Sequence, residues 1–280
     1  MKCHLVSYAN ERFRTSQRRL TRSAKQHGVH EVHTWNKKAL EGSVLYKTQP
    51  RILNAERGAG YWLWKPFIIK EALKKLGPKD VLIYSDSGIE VIGDLSPLVR
   101  LVRRKELLLF QNHYDDSCVP SHNVCGRWTK RDCFALMDCD EPRYHKGRML
   151  DASFLVLMNT PLTRAFVTEW FLYCCQPHIL TDRPNACGLP NLPEFRDHRH
   201  DQSVLSLLGI RSGLETFRHP SQFGNHLKKP RYRQAGEWIW HPYGSKGICR
   251  NSPYPTLLSH HRGEFNPITA LCSQEDLRDN

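Results

Sequence analysis

The chain has 280 residues, of which 40% are hydrophobic and 25% charged, and 41 Lys plus Arg face 28 Asp plus Glu. Seven Trp, ten Tyr and eleven Phe supply enough apolar area to exclude intrinsic disorder, and runs such as Phe154 to Met158 are too short to span a bilayer. The net charge of +13 points to anionic partners.

Met1-Lys2-Cys3-His4 is not followed by the apolar core of a signal peptide. A cytoplasmic location is therefore expected, with the ten cysteines reduced. No Cys-x-x-Cys occurs, and Cys118, Cys125, Cys133 and Cys139 are spaced too widely for a zinc knuckle.

In chain order, Cys3 to Ser7 reads as a strand and Thr15 to Gln26 as a basic helix stopped at Gly28. Val29 to Thr34 alternates like a second strand. Pro66 suits the first turn of a helix, and Phe67, Ile68, Ala72, Leu73 and Leu76 follow at helical spacing until Gly77-Pro78. Val81 to Tyr84 reads as a buried strand that ends at Ser85-Asp86-Ser87-Gly88. A helix is expected over Leu95 to Arg104, a strand over Leu107 to Gln111 and a helix over Lys130 to Met137. Asp151 precedes an expected strand over Ser153 to Met158. Thr160 then caps a helix with Pro161 at its first position and Leu162, Phe166, Trp170 and Tyr173 on its apolar side. Residues 176–200 read as loops, Asp201 to Leu208 as a short helix, and Thr256 to Ser259 as a last strand before His260-His261-Arg262. The pattern predicts one continuous α/β domain over residues 1–280.

Four groups of residues carry the potential for chemistry. Arg57-Gly-Ala-Gly-Tyr-Trp-Leu-Trp-Lys65-Pro66 places two cations and two glycines before a helix N-terminus, which favours anions. Read by spacing alone, it is sooner a turn with a hydrophobic helix cap, Arg57 and Lys65 being solvated. It is neither a Walker motif nor a dinucleotide fingerprint. Asp86 at a strand end is placed to hold a divalent ion or a sugar hydroxyl, or simply to form a turn. Asp201 either opens a helix as a functional carboxylate or caps it. The pair His260-His261 either contacts metal or phosphate, or does neither.

Together, Arg-Gly-x-Gly-Tyr-Trp-x-Trp-Lys-Pro, Leu-Ile-Tyr-Ser-Asp-Ser-Gly and His-Asp-Gln-Ser resemble a branch of nucleotide-sugar-dependent glycosyltransferases of the GT-A fold, found in bacteria, algae and large algal viruses. The resemblance implies a single Rossmann-like domain with a central mixed, mostly parallel sheet flanked by helices. Residues 1–110 would bind nucleotide, and residues 111–280 the donor sugar and acceptor. The length matches a lone catalytic domain without anchor or stem.

Site residues follow from the same resemblance. Ser7, Tyr8 and Ala9 would cradle base and ribose. Arg57, Trp64 and Lys65 would border the donor, with Tyr61 and Trp62 as further stacking candidates. Asp86, Ser87 and Gly88 correspond to Asp-x-Asp, in which Gly88 replaces the second carboxylate. That replacement puts dependence on Mn²⁺ or Mg²⁺ in doubt, with Asp86 and His261 as tentative metal ligands and Glu90 or a nearby His completing the site, or else cations standing in for the metal. Asp151 and Ser153 would handle the donor sugar, and Asp201 with Gln202 would face the ring near the reacting carbon. Lys65, Arg57, His261 and Arg262 would stabilise the departing diphosphate. Asp201, then Asp151, is the expected catalytic base if the reaction inverts the anomeric centre. If it retains configuration, Asp201 and Gln202 would stabilise the cationic transition state. The expected partners are a nucleotide-sugar donor, most readily a UDP-sugar with xylose favoured, and a glycan or glycoconjugate acceptor.

Two rival readings remain. One is a basic nucleic-acid-binding protein, supported by the charge and by Arg12, Arg14, Arg18, Arg19, Arg22 and Lys25, although no known nucleic-acid motif accompanies them. The other is a catalytically inactive sugar-binding relative.

Overall fold

A computed structural model describes residues 1–112, 123–221, 224 and 251–261, together with the backbone of 232–234 and 237–239. The central sheet contains β1 (Cys3–Ala9), β2 (Glu31–Asn36), β3 (Val81–Ser85), β5 (Leu107–Gln111), β6 (Leu150–Met158) and β7 (Thr216–Phe217). Its order is β2-β1-β3-β6-β5-β7. The β1–β2, β1–β3 and β5–β7 pairs are parallel, whereas β6 runs antiparallel to β3 and β5. This is the expected mixed, mostly parallel sheet. Because β6 is inserted between β3 and β5, both halves of the chain build one sheet. A separate pair joins β4 (Ile89–Val91) to β10 (Leu258–His260), and β8 (Tyr232–Gln234) pairs with β9 (Glu237–Ile239).

Five described helices have ten or more residues: α1 (Arg14–Gln26), α2 (Trp64–Lys75), α3 (Ser96–Lys105), α4 (Pro161–Cys174) and α5 (Asp201–Arg211). Alternation along the strands divides the core in two. Leu82 and Tyr84 pack with residues of α2, α4 and α5, while Val81 and Ile83 pack with residues of α1 and α3. Each fully buried Leu, Ile, Val or Phe contributes roughly 1.5–3 kcal/mol. No described helix is long and apolar enough to cross a membrane. The described cysteines are free thiols.

Some boundaries move for local reasons. Strand β2 starts at Glu31 rather than Val29, because the Val29 N–H still bonds Ala24 O and Gly28 sits at φ +100°. Strand β6 starts at Leu150, so Asp151 lies inside the strand rather than before it, opposite Phe110 and next to a register shift in β5. Helix α4 buries Phe166, Val167 and Trp170, but Leu162 is 49% exposed. The cap on α4 is as expected, with Thr160 Oγ1 accepting from Thr163 N in a reciprocal box. The final strand begins at Leu258 and pairs with β4, outside the main sheet. On α1, Ser16, Gln17, Leu20, Ser23 and Ala24 face inward, and the five basic residues of the helix are exposed, as is Arg12 just before it.

Candidate active site

The first three strands end together at the edge where Ala9, Ser85 and Asn36 stand, and antiparallel β6 brings its beginning, Asp151, to the same edge. In α/β folds this carboxyl edge is where ligands bind. Lys65, in the first turn of α2, extends into it. Its side chain is 4% exposed, with Nζ 3.1 Å from Asp201 Oδ2, 3.6 Å from Asp86 Oδ1 and 3.0 Å from Ala152 O. One ammonium thus joins the end of β3, the start of β6 and the start of α5.

Asp86 is fixed from two further sides. Its N–H donates to Ser153 O at 2.7 Å, and Tyr84 donates its hydroxyl to Asp86 Oδ1. Both side-chain contacts fall on Oδ1. Ser87 is buried, and Gly88 O accepts from His261 N at 3.0 Å, which seats the chain after β10 beside the Asp86 turn. Asp151 Oδ1 accepts from Ser153 N at 2.6 Å and from the Ser153 hydroxyl. The Asp151 charge also reaches Lys65 and Asp86.

Asp201 occupies the first helical position of α5, and its side chain does not cap the helix. Trp170 Nε1 donates to Asp201 O at 2.9 Å and fixes the helix start. Gln202 Nε2 donates to Leu150 O at 2.7 Å, tying α5 to β6.

The electrostatics follow from these contacts. Burial opposes the Lys65 charge, but Asp201 and then Asp86 outweigh it and hold the ammonium above its ordinary pKa. Burial pushes Asp201 up to about 6, against the pull of Lys65. Displacement of water likewise raises Asp86, with Lys65 and Tyr84 opposing. A single ammonium among Asp86, Asp151 and Asp201 leaves two negative charges in excess when all three are ionised. Carboxylate oxygens are the ligand type that Mg²⁺-class ions take, and such ions need only one or two of them when phosphates and waters complete the shell. Among the described residues, however, the one group of three metal-type ligands within 4.8 Å of one another lies elsewhere, at His4, Glu31 and His33.

The aromatic segment has a largely architectural role. Gly58 and Gly60 adopt φ of +60° and +97°, within a run that includes left-handed Ala59, Tyr61 and Trp62. A Cβ on Gly58 would meet the Trp62 ring at 2.3 Å, and one on Gly60 would meet Leu53 Cα at 2.7 Å. These glycines therefore admit Trp62 and Leu53 rather than lining an open cradle. Trp64 is buried against Tyr8, with ring centroids 4.3 Å apart, and donates Nε1 to Gly58 O at 3.0 Å. Tyr61 and Trp62 pack on His200. Arg57 is paired with Asp182 at 3.0 Å and Asp197 at 2.7 Å.

At the opposite side of the site, Ser7 and Ala9 are buried at the end of β1, and Gln17 Nε2 donates to Ser7 O at 3.2 Å. His261 is buried, and its pKa is lowered by burial and then by the charge of Arg19. Arg262 lies outside the described residues.

The structure thus brings Lys65, Asp86, Asp151 and Asp201 to one edge beside Trp64, with Ser153, Gln202 and Gly88 as their supports. Arg57 stands apart in its own carboxylate pairing. Three neighbours escaped the sequence reading. Tyr84 stands two residues before Asp86, and strand periodicity puts both on one face, so that signal was available. Arg19 pairs with Glu90 at 4.0 Å near His261, and only a basic helix pointed to it. His219 lies with Nε2 3.8 Å from Asp151 Oδ1, its ring against Phe110 and His260. No local pattern marks it.

No family model matches the chain. No curated protein matches it either. Among solved structures, the apo WbbM bifunctional glycosyltransferase aligns with a TM-score of 0.52 and 13% identity over 95% of this chain and 46% of that one. An active-site Gln-to-Glu mutant of LgtC aligns with a TM-score of 0.51 and 12% identity over 94% of this chain and 89% of that one. This chain therefore spans about half of the WbbM chain and most of LgtC. The six-stranded mixed sheet flanked by helices is the fold of the GT-A glycosyltransferases.

Proposed function

We propose, from a fold shared with GT-A glycosyltransferases, that this protein transfers a sugar from a nucleoside diphosphate to a hydroxyl of a glycan or glycoconjugate. UDP is the carrier that the sequence resemblance implies, with xylose favoured as the sugar. The observation that carries the reading is the Asp86–Lys65–Asp201 bridge at the carboxyl edge of the sheet. It leaves Asp86 35% exposed at the edge where a ligand enters.

In this reading Ser7, Tyr8 and Ala9 border the base and ribose. Asp86, Ser87 and Gly88 meet the ribose and diphosphate. Lys65 acts chiefly as the counter-ion that keeps Asp86 and Asp201 ionised and in place, because both carboxylates already claim its charge. A divalent ion would be held by Asp86, with His261 nearby, and would supply charge neutralisation for the departing diphosphate. Arg19 acts on that position as a cation beside His261, and the resemblance adds Arg262 to it. Arg57 holds the 182–197 segment through Asp182 and Asp197. Asp151 and Ser153 meet the donor sugar from β6, and Gln202 orients α5 beneath it.

Asp201 is assigned to the reacting carbon. A carboxylate with a pKa of about 6 is ionised at neutral pH yet basic enough to take the acceptor proton. The 3.1 Å ion pair with Lys65 favours a second role, in which Asp201 stays ionised and stabilises positive charge on the sugar ring. Inversion of the anomeric centre in the product supports the first role, and retention the second.

A thermal-shift and calorimetric screen of UDP-, GDP- and TDP-sugars, each with and without Mn²⁺, tests the proposal. A ligand at a hundredfold excess over its Kd stabilises by about 2.7 kcal/mol. One sugar nucleotide should raise Tm in the wild type and lose most of that effect in Asp86→Asn. No response to any sugar nucleotide, together with steeply salt-dependent binding of DNA or RNA, would replace this reading with the nucleic-acid one.

A further inference from the structure

The rim of the sheet opposite the candidate active site carries a second group of polar side chains. His4 and Glu31 are register partners at the beginnings of β1 and β2, and His33 follows two residues later on the same face of β2. His4 is 5% exposed, His33 is half-buried and Glu31 is exposed. The ligand atoms of all three lie within 4.8 Å of one another, and no other described set of His, Cys, Asp or Glu does so.

The spacings fit a metal ion. His4 Nδ1 is 3.2 Å from His33 Nε2 and 3.7 Å from Glu31 Oε2. In a tetrahedral Zn²⁺ site with bonds of ~2.0–2.2 Å, neighbouring ligand atoms lie roughly 3.3–3.6 Å apart. The observed distances bracket that range, so a cation enters with pivots of the two rings. The rings lie within 17° of parallel.

A carboxylate stands behind the outer nitrogen of His4, just beyond hydrogen-bond distance. His4 Nε2 is buried without a hydrogen-bond partner, and Asp80 Oδ2 faces it at 3.7 Å. A carboxylate behind the outer nitrogen is the arrangement that fixes a ligating histidine and raises its basicity. Asp80 is itself held by the N–H groups of Lys2 at 2.7 Å and Gly77 at 3.0 Å. Lys2 Nζ binds Glu31 Oε1 at 2.9 Å, which turns the other carboxylate oxygen toward His4. Lys2 and Lys75 are the nearby cations that oppose a metal. Burial lowers the pKa of both histidines.

We propose that His4, Glu31 and His33 form a Zn²⁺-class metal site, with Asp80 orienting His4. Two imidazoles, one carboxylate and a water are a recognised ligand set for this ion. With His4 protonated on Nε2 toward Asp80, its Nδ1 accepts from His33 Nε2–H in the metal-free protein. On metal binding the His33 proton moves to Nδ1, and both facing nitrogens ligate without loss of a proton. Five residues of β1, roughly 17 Å, separate His4 from Ala9. The metal therefore acts at a distance from the sugar site, by clamping edge strand β2 to β1 and to the turn before β3.

The test uses the full chain after chelator treatment. Zn²⁺ is titrated by calorimetry, and Co²⁺ is followed by visible absorption. The expected result is one equivalent of Zn²⁺, tetrahedral Co²⁺ bands without a thiolate charge-transfer band, and a rise in Tm. Glu31→Gln, at an exposed position, and His33→Gln should each weaken binding at least tenfold while the metal-free Tm stays near that of the wild type. Undiminished binding in both variants, a thiolate band that places the metal on cysteine, or no binding at all would each overturn the proposal.

Discussion

Lys65 Nζ and Asp201 Oδ2 stand 3.1 Å apart, and each side chain is only 4% exposed. This contact links the head of α2 to the head of α5 across the end of the sheet. Removing one partner of a buried pair typically costs about 3–5 kcal/mol, because the other charge is left uncompensated. Lys65→Met should destabilise the protein by that order in urea unfolding. Lys65→Met combined with Asp201→Asn should recover part of the loss. Strict additivity in the double-mutant cycle would show that the two charges are not coupled.

The Asp201 pKa sets a pH dependence with a definite sign. Its folded value of about 6 lies above the ordinary 3.8, so the native state binds its proton more tightly than the unfolded chain does. Its contribution to stability is therefore fully present below about 4 and is lost as pH rises through about 6. Asp201→Asn should flatten that segment of the stability profile. Under the proposed function, kcat/KM should rise with pH through the same region as Asp201 ionises. A rate that is flat from pH 5 to 8 would remove Asp201 from the role of base.

Two glycines with similar dihedral angles separate backbone strain from steric fit. Gly58 and Gly188 have φ of +60° and +76°, but a Cβ on Gly188 meets nothing within 4 Å. Gly188→Ala should cost about 1 kcal/mol. Gly58→Ala adds the Trp62 clash and should cost about 1–3 kcal/mol more. Equal melting temperatures for the two variants would contradict the packing of Trp62 over Gly58.

The cap of α4 sits at the opposite end of β6 from Asp151. Thr160→Ala removes the bond from Thr163 N and the hydroxyl contact to Glu106 Oε2 at 2.6 Å. A loss of ~1 kcal/mol is expected in chemical denaturation. Sugar-nucleotide binding should be unchanged at a temperature where both proteins are folded, and a large binding defect would link this cap to the site.

Some of this architecture was legible because its causes are local. The run Val81 to Tyr84 is apolar on both faces and forms the buried strand β3. Thr160-Pro161 carries its own capping chemistry, and α4 begins there. Edge strand β2 was displaced by two residues because one side of it meets no neighbour and the Gly28 turn decides where it starts. Asp86, Asp151 and Asp201 were singled out together by resemblance rather than by spacing, and it is the packing around Lys65 that brings them near one another. His219 and Arg19 came from folding alone.

The sequence by itself determined the α/β class, the buried strands β3 and β6 and the Asp86 carboxylate at the end of β3, because hydrophobic runs, caps and strand-end polarity act over a few residues. Only the tertiary structure decided what the charges do. Lys65 is committed to two carboxylates, and Arg57 to Asp182 and Asp197. Five of the 41 Lys and Arg are exposed on α1 rather than gathered at the site. Electrostatic partners are chosen by distance and burial, and those depend on how segments far apart in the chain pack.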